Sequence, residues 1–460
     1  AGYAASCRSG GGSPPSDSHD EAASLLGRRG GRSGAAMDTM ETNSDSMSSD
    51  DGTATIEDVE PHIPQIEIEV PRLSSFTQSS ANCINLLMGI GLLSYPYVLK
   101  LSGWVPGFGI IIAMAFICRY TGNLIAELMD YQPSIKLREG PGAYTIIGFH
   151  DLGRVAFGTA GSLFVSAAFI GETFGYGCIY LIVEGDNLHK LLGDHESFKH
   201  LDRHDFMFLS LLIFLPTLWL RNLSLLSYFS ALGACSAAIL SLGVIISGVD
   251  GAPPNPTYCK GDCKGSILDP APTVLARWAN ITSVIGLCMV GFSGHAVFPT
   301  LRLDMEDTRL YPRVLDLSYT FLLTLYLTIA SAGYLMYGES CQEEITLNLG
   351  HSLVSQLAVW VVCINPITKF ALDMAPICMG VEGLFFDSLS LKKEGVLANI
   401  IAIFLRTAIA TGALLVVFAI PSFSVMMGFM GSICSFTIAV TFPCACFLRL
   451  KWHEISTAKK

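Results

Sequence analysis

The chain has 460 residues, of which 51% are hydrophobic and only 15% are charged, whereas a soluble protein is about a quarter charged. Its repeated apolar stretches of roughly 20 residues are long enough to cross a bilayer, so the composition excludes a soluble protein and predicts a polytopic membrane protein. The net charge of −11 is concentrated in residues 1–72, whose 13 acidic and 5 basic residues give −8. The remaining −3 leaves the membrane body nearly neutral, and no nucleic-acid partner is expected.

The first 72 residues are rich in Ser, Gly and acidic side chains. They carry too little apolar surface to fold, so we predict that residues 1–72 form a disordered, acidic cytosolic tail. Within the tail, Glu21 to Leu26 read EAASLL, which resembles an acidic dileucine signal and would bind a sorting adaptor. The alternative is that these six residues are simply unstructured tail.

Ten apolar spans are predicted in a transmembrane domain covering residues 73–450, followed by a cytosolic end at 451–460. With the N-terminus inside the cell, the connections on one side of the membrane carry thirteen Lys and Arg residues and those on the other side carry seven. This excess predicts a cytosolic N-terminus. The predicted spans are 75–100, 104–129, 155–184, 205–220, 225–249, 278–300, 313–337, 353–383, 396–419 and 423–448.

Two of these spans carry helix-breaking residues at their midpoints. The first contains LLMGIGLLSYP and the sixth contains MVGFSGHAVFP, each with two glycines and a proline. Gly destabilises a helix interior by about 1 kcal/mol and Pro by about 3 kcal/mol, and unpaired backbone groups in lipid cost several more. A break at this depth is tolerated only where it faces protein or water, so both breaks are predicted to expose backbone groups for binding.

The two broken spans lie five spans apart, which predicts an internal repeat of residues 75–249 in residues 278–448. Five is odd, so the second repeat is inverted in the membrane. This is the architecture of secondary transporters that work by alternating access around a site at mid-membrane. The alternative is that the glycines only allow helices to pack closely, but Gly89 and Gly91 do not have the spacing of that motif.

The breaks also predict what is bound. Half-helix N-termini offer unpaired N–H groups and a positive dipole end to an anionic group such as a carboxylate. For His295 and Tyr95, packing in the core is the alternative to contact with substrate. The predicted substrate-binding residues are Gly89, Ile90, Gly91, Leu92, Ser94, Tyr95, Gly291, Phe292, Ser293, Gly294, His295 and Tyr176.

Three charged residues fall near the middle of apolar spans, where a charge is costly and functional by default. Glu172 lies in the third span, Lys369 in the eighth and Arg406 in the ninth. We predict that Lys369 and Glu172 couple transport to an ion and that Glu172 pairs with Lys369 or Arg406. The alternative is an ion pair that only fixes packing, which is the preferred interpretation for Arg406.

Six motifs resemble the amino acid/auxin permease family, in its plant vacuolar amino-acid transporter branch, which is similar to vesicular inhibitory amino-acid transporters. The resemblance implies an all-α, LeuT-like fold, proton-coupled transport of amino acids, and a vacuolar membrane. Members usually have an eleventh span, and ten are expected here. The motifs are SFTQSSANCINLLMGIGLLSYPYVLKLSGW, YLIVEGDNL, GFSGHAVFP, GYLMYGE, INPITKFALDMAPI and GSICSFTIAVTFPC.

The function predicted from these features is secondary active transport of amino acids, with neutral ones favoured and protons as the second partner. The alternatives are a carrier of another small organic acid such as auxin, or of a different polar metabolite. No catalytic motif indicates an enzyme, and no cofactor or metal site is expected. Cys259 and Cys263 could be bridged, although a loop that short is tight.

Overall fold

The computed structural model describes residues 74–130, 146, 148–220, 223–259, 263–390 and 395–458, with only the backbone of residues 223–234 and 452–458. The predicted tail at residues 1–72 and its candidate sorting signal, Glu21 to Leu26, lie outside these ranges. The regular secondary structure of the described residues is helical, apart from one isolated β-bridge between Ser74 and Met305.

The helices follow the predicted spans closely. Two π-helical turns, Gly431–Ser435 and Thr437–Thr441, join the last two helices into one span. In chain order the helices are α1 (Phe76–Leu87), α2 (Tyr95–Ser102), α3 (Trp104–Asp130), α4 (Phe149–Leu192), α5 (Arg203–Trp219), α6 (Leu223–Val249), α7 (Ile281–Phe292), α8 (Phe298–Leu303), α9 (Tyr311–Tyr337), α10 (Ile345–Asn348), α11 (Leu353–Ser388), α12 (Val396–Ala419), α13 (Phe423–Met430) and α14 (Phe442–Ala458).

Among the described residues, seven helical stretches are long and apolar enough to cross a membrane, and the bent pair of α1 and α2 makes eight. The other two predicted spans are α5, which has 17 residues, and α6, whose side chains are described only from residue 235. This helical arrangement, with the first and sixth predicted spans interrupted, confirms the predicted fold class. The superposition of residues 75–249 on residues 278–448 stays a prediction.

The first interruption separates α1 from α2. Met88 and Gly89 leave the helical conformation, a 3-10 turn covers Ile90–Ser94, and the axis bends by 51°. Pro96 falls in the first turn of α2, where its missing N–H would have no partner in any case. The first interruption therefore follows from the glycine and proline positions in the sequence.

The second interruption separates α7 from α8 by the same succession of elements. Ser293 and Gly294 are not helical, a 3-10 turn covers His295–Val297, and Pro299 lies in the first turn of α8. A helix, two non-helical residues, a 3-10 turn and a proline-led helix thus occur twice, five spans apart. This local repetition supports the predicted internal repeat.

Successive spans run in opposite directions, which gives the bundle two ends. We call the end at which α1 begins the proximal face; there Ser74 donates its hydroxyl to Asp304, just after α8. The opposite end is the distal face, where Arg277 donates to the backbone oxygen of Lys100 at 2.6 Å. α10 and its flanking loops lie at the distal face, between the ends of α9 and α11.

Candidate substrate site

The two interruptions are in direct contact through a pair of glycines. A Cβ atom added to Gly91 would lie 3.0 Å from the Cα atom of Gly291, and one added to Gly291 would overlap the hydroxyl of Tyr95. Neither position has room for a side chain. A Cβ atom on Gly89, by contrast, would have no atom within 4 Å, so Gly89 borders open space beside the contact. Backbone from both broken helices therefore meets next to that space.

Tyrosines of α9 donate to backbone carbonyls at the ends of both broken helices. The hydroxyl of Tyr326 lies 3.2 Å from the oxygen of Leu87 and 3.0 Å from the oxygen of Gly291, so it serves both broken helices. The hydroxyl of Tyr319 donates to the oxygen of Phe292 at 3.0 Å. These two tyrosines lie seven residues apart, and that spacing on one face of the seventh span was the signal available in the sequence.

Replacing Tyr326 by Phe should destabilise the protein and impair transport. The substitution keeps the ring but removes the hydroxyl that the buried oxygens of Leu87 and Gly291 accept from, and each lost hydrogen bond costs about 0.5–1.5 kcal/mol. We expect a lower unfolding temperature in detergent and slower uptake in proteoliposomes. Tyr120→Phe, at an exposed tyrosine of α3, is the control and should change neither quantity. Equal behaviour of the two variants would contradict this role of Tyr326.

The side chain of Lys369 joins α11 to the first interruption. Its ammonium group donates to the backbone oxygens of Asn85 and Met88, at 3.1 Å in each case. These oxygens belong to the last turn of α1, where carbonyls have no helical partner and the helix dipole is negative. The ammonium therefore neutralises the end of the first half-helix and joins it to α11.

Glu172 joins α4 to the second interruption and to the last span. One of its carboxylate oxygens accepts from the hydroxyl of Ser293 at 3.1 Å and from that of Ser435 at 2.6 Å. Ser435 ends a π-helical turn, a distortion that is frequent at functional sites. The carboxylate thus contacts the break in the sixth span directly.

The predicted ion pair of Glu172 with Lys369 or Arg406 is wrong. Lys369 binds backbone oxygens instead, and Arg406 pairs with Glu382 at 2.6 Å. Arg406 also donates to the oxygen of Leu218 at 2.7 Å. This buried guanidinium is thus bound by protein groups of α5 and α11, which favours the structural role preferred from the sequence.

Asp373 is a further charged group of the site that did not stand out from the sequence. It lies one helical turn after Lys369 and accepts a hydrogen bond from the hydroxyl of Tyr180 at 2.6 Å. Tyr180, Tyr176 and Glu172 share one face of α4 because they are four residues apart. Along this face of α4, polar side chains run from Tyr180, which binds Asp373, to Glu172, which contacts the second interruption.

His295 lies on the far side of the second interruption. Its Nε2 atom is 2.9 Å from the hydroxyl of Thr121 and 3.0 Å from the oxygen of Cys118, both on α3. The ring is completely buried. The imidazole therefore attaches the interruption to α3, which is the packing alternative for this residue.

The remaining predicted residues of the first interruption pack around its 3-10 turn. Ser94 donates to the oxygen of Gly91 at 2.9 Å, and Tyr95 stacks on Tyr326 with ring centroids 4.2 Å apart. Ile90 and Leu92 are buried beside them. The buried residues therefore form the floor of the interruption, and Gly89 is the one that borders open space.

Features at the distal face complete the description. Cys259 and Cys263 are joined by a disulfide. In the part of the chain that the structure describes, no group of three or more His, Cys, Asp or Glu residues could hold a metal ion. The site is thus built from backbone, hydroxyl, ammonium and carboxylate groups.

Comparisons with known proteins place these features in a family. The family described as transmembrane amino acid transporter protein matches residues 72–460. Amino acid transporter AVT1D of Arabidopsis thaliana is 32% identical over 404 residues, covering 86% of this chain and 68% of the relative. Amino acid transporter AVT1B of the same plant is 34% identical over 388 residues, covering 83% and 66%. The chain spans about two thirds of the length of these relatives.

The chain is also similar to solved structures, of which we describe one. It is a Na+-coupled sialic acid symporter in a substrate-bound, outward-open state, with a TM-score of 0.48 and 13% sequence identity. The similarity covers 79% of this chain and 78% of that one.

Proposed function

The chain belongs to the transmembrane amino acid transporter protein family, whose members are membrane transporters rather than enzymes, and we propose that it moves amino acids by proton-coupled alternating access. The observation that carries the proposal is the contact of the two interruptions at Gly91 and Gly291, beside the open space at Gly89. Amide groups at the start of the following 3-10 turns have no helical partner and suit a carboxylate. Every amino acid carries that carboxylate.

We propose neutral amino acids as the preferred substrates. The charged groups nearest the interruptions are already engaged: Lys369 with backbone oxygens, Glu172 with two serine hydroxyls and Asp373 with the hydroxyl of Tyr180. Recognition of the substrate's side chain is therefore left to backbone and uncharged groups, which favours a side chain without charge.

Protons are the proposed driving ion. Lys369 supplies a positive charge where the first half-helix meets α11, so no metal cation is needed to hold the two together. An ammonium group can lose its proton, and then its grip on the oxygens of Asn85 and Met88 weakens. Gain and loss of that proton would change the position of α1 and so couple proton movement to access.

We also propose that the protein lies in the vacuolar membrane with a cytosolic N-terminus. Two features support this: the resemblance to plant vacuolar amino-acid transporters, and the excess of Lys and Arg on the side of the N-terminus. In plant cells, an N-terminal fluorescent fusion should label the vacuolar membrane and should be digested by protease added to intact vacuoles. A signal at another membrane, or protection from the protease, would contradict the assignment.

The test of function is uptake into proteoliposomes that contain the full chain. With an imposed pH gradient, we expect saturable uptake of neutral amino acids, lost when a proton ionophore collapses the gradient and unchanged when sodium is replaced by choline. Auxin and other organic acids without an amino group serve as competing substrates. Uptake that needs sodium, ignores the pH gradient or favours an organic acid would contradict the proposal, and uptake that does not saturate would indicate a channel.

A further inference from the structure

Residues 338–352, which we call the cap segment, close the distal face over the first interruption. The segment contains α10, which packs against α4 and against the 3-10 turn Ile90–Ser94. Lys190 of α4 donates to the oxygen of Leu349 at 2.6 Å and also to that of Thr346. Contacts with α4 therefore hold the cap segment over the candidate substrate site.

A buried carboxyl pair lies in this contact. Glu344 of the cap segment is 0% exposed and Asp186 of α4 is 5% exposed, and the two carboxyl groups are neighbours because Glu344 contacts Asn187, the residue next to Asp186. One oxygen of Glu344 accepts from the side-chain amide of Asn187 at 3.3 Å, whereas the other has no donor. Asp186 is bound by Arg203, whose Nη2 atom lies 2.6 Å from it.

The surroundings of this pair contain more acid than base. The carboxylate of Glu343 accepts hydrogen bonds from the hydroxyl of Ser422 and from the backbone N–H of Ser424. Arg203 binds Asp186, and Lys190 is engaged with backbone oxygens. The titratable and charged groups around Glu344 are Asp186, Glu184 and Lys190 of α4, Arg203 of α5, Glu343 of the cap segment, Cys363 of α11 and Tyr258 of the loop between α6 and α7.

Several oxygens around the pair also lack a donor. These buried acceptor atoms are Oε1 of Glu344, Oε2 of Glu184 and Oδ1 of Asn187. Buried polar atoms are normally hydrogen-bonded, so the unpartnered Oε1 atom of Glu344 indicates a bound ligand that supplies a hydrogen bond at that oxygen. A proton on a carboxyl group is the smallest such ligand, and it needs no additional space.

We propose that Glu344 and Asp186 form a proton-binding site, in which one shared proton holds the cap segment closed against α4. With the proton bound, the Glu344 carboxyl donates to Asp186. Without it, two carboxylates face each other in a buried contact and repel, so the cap segment is released and the distal face opens. This site is distinct from Lys369 and goes beyond the proposed function.

The pH dependence follows from the closed state. Burial of the Glu344 carboxyl, and then the negative charge of Asp186, raise the pKa of Glu344 well above its ordinary value. In the open state the pKa returns to about 4.3. The closed state therefore binds the proton more tightly, and closure is favoured most in acid. It weakens as the pH rises from the ordinary carboxylate range towards the raised pKa.

Hydrogen exchange of the full chain in lipid nanodiscs, without substrate, tests the proposal. The measured quantity is the protection of backbone amides in residues 341–350, corrected for the intrinsic exchange rate at each pH. In the wild-type protein we expect protection to fall about tenfold or more between pH 5 and pH 8, because each pH unit changes the closed-to-open ratio by up to about tenfold. Glu344→Gln carries a permanent donor and should lose most of this pH dependence.

Glu339→Gln is the matched control, because Glu339 is an exposed acid of the same segment that pairs with Arg277. It should keep the wild-type pH dependence. The proposal is overturned if wild-type protection is the same at both pH values, if Glu344→Gln varies as the wild type does, or if Glu339→Gln abolishes the dependence. If the Glu344 variant does not fold, the comparison of wild-type protection at the two pH values tests the proposal by itself. Hydrogen exchange is measured without transport. Failure of the proposed transport function would therefore appear only in the uptake experiment.

Discussion

Lys369→Met should lose uptake driven by a pH gradient and yet retain exchange of substrate across the membrane at equal pH. Methionine has nearly the length of lysine but no charge, so the oxygens of Asn85 and Met88 lose their donor. A hydrogen bond to a charged group contributes about 1.5–3 kcal/mol, and two such bonds predict a fall in driven uptake of about tenfold or more. Exchange needs only the substrate-bound states and should persist.

Both rates should be measured in the same proteoliposomes, with labelled amino acid inside or outside. Lys264→Met is the control, because Lys264 is an exposed residue of the loop between α6 and α7 and pairs with Asp269. This variant should behave as the wild type. Normal driven uptake by Lys369→Met would make Lys369 a structural residue and leave the coupling unexplained. Loss of both activities with correct folding would assign Lys369 to substrate binding instead.

Gly91→Val should abolish transport while the protein remains folded, and Gly91→Ala should reduce transport. The first added carbon would lie 3.0 Å from the Cα atom of Gly291 and 3.2 Å from its nitrogen. These are backbone atoms, which cannot rotate away, so the two broken helices must separate. Overpacking of this kind costs about 1–3 kcal/mol, and it acts at the point where backbone groups meet the proposed substrate.

The matched control is Gly412→Ala on α12, where a new Cβ atom would meet nothing within 4 Å. That variant should transport normally. Gel filtration and the amount of protein in the membrane separate misfolding from loss of function. Normal transport by Gly91→Val would show that the contact of the two interruptions is not needed, and the glycines would then serve only close helix packing.

The positions of the breaks could be predicted from the sequence because their cause is local. Glycine and proline disfavour a helix wherever they stand, and both interruptions occur where such residues interrupt an apolar run. The mid-span charges could be recognised for a similar reason, since a charge in lipid is costly whatever surrounds it. Lys369 accordingly lies at the first interruption, and Glu172 at the second.

The partners of those charges could not be predicted, because they depend on contacts between distant parts of the chain. Glu172 accepts from Ser293 and Ser435, which are 121 and 263 residues away. Lys369 reaches Asn85 across 284 residues. Pairing opposite charges is the simplest guess from the sequence, and it fails here because serine hydroxyls and backbone oxygens meet the same electrostatic need.

The direction in which each helix face points could also not be predicted from the sequence. Ile364 lies near mid-depth in the eighth span, as a residue facing the substrate would, but the structure places it at 41% exposure on the outer surface. It shares an exposed stripe with Leu357 and Trp360, at the spacing of one helix face. Depth can be counted along a sequence, whereas the direction of a side chain is set by the neighbouring helices.

The single hydroxyl of Tyr326 has a mechanical consequence for alternating access. A tyrosine has one proton to donate, yet two oxygens compete for it, one from each broken helix. If either half-helix moves away, the proton passes wholly to the oxygen that remains, so one full bond replaces two partial ones. The energy of separation is therefore lower than that of breaking two independent bonds, and the paired half-helices can part without a deep energy minimum holding them together.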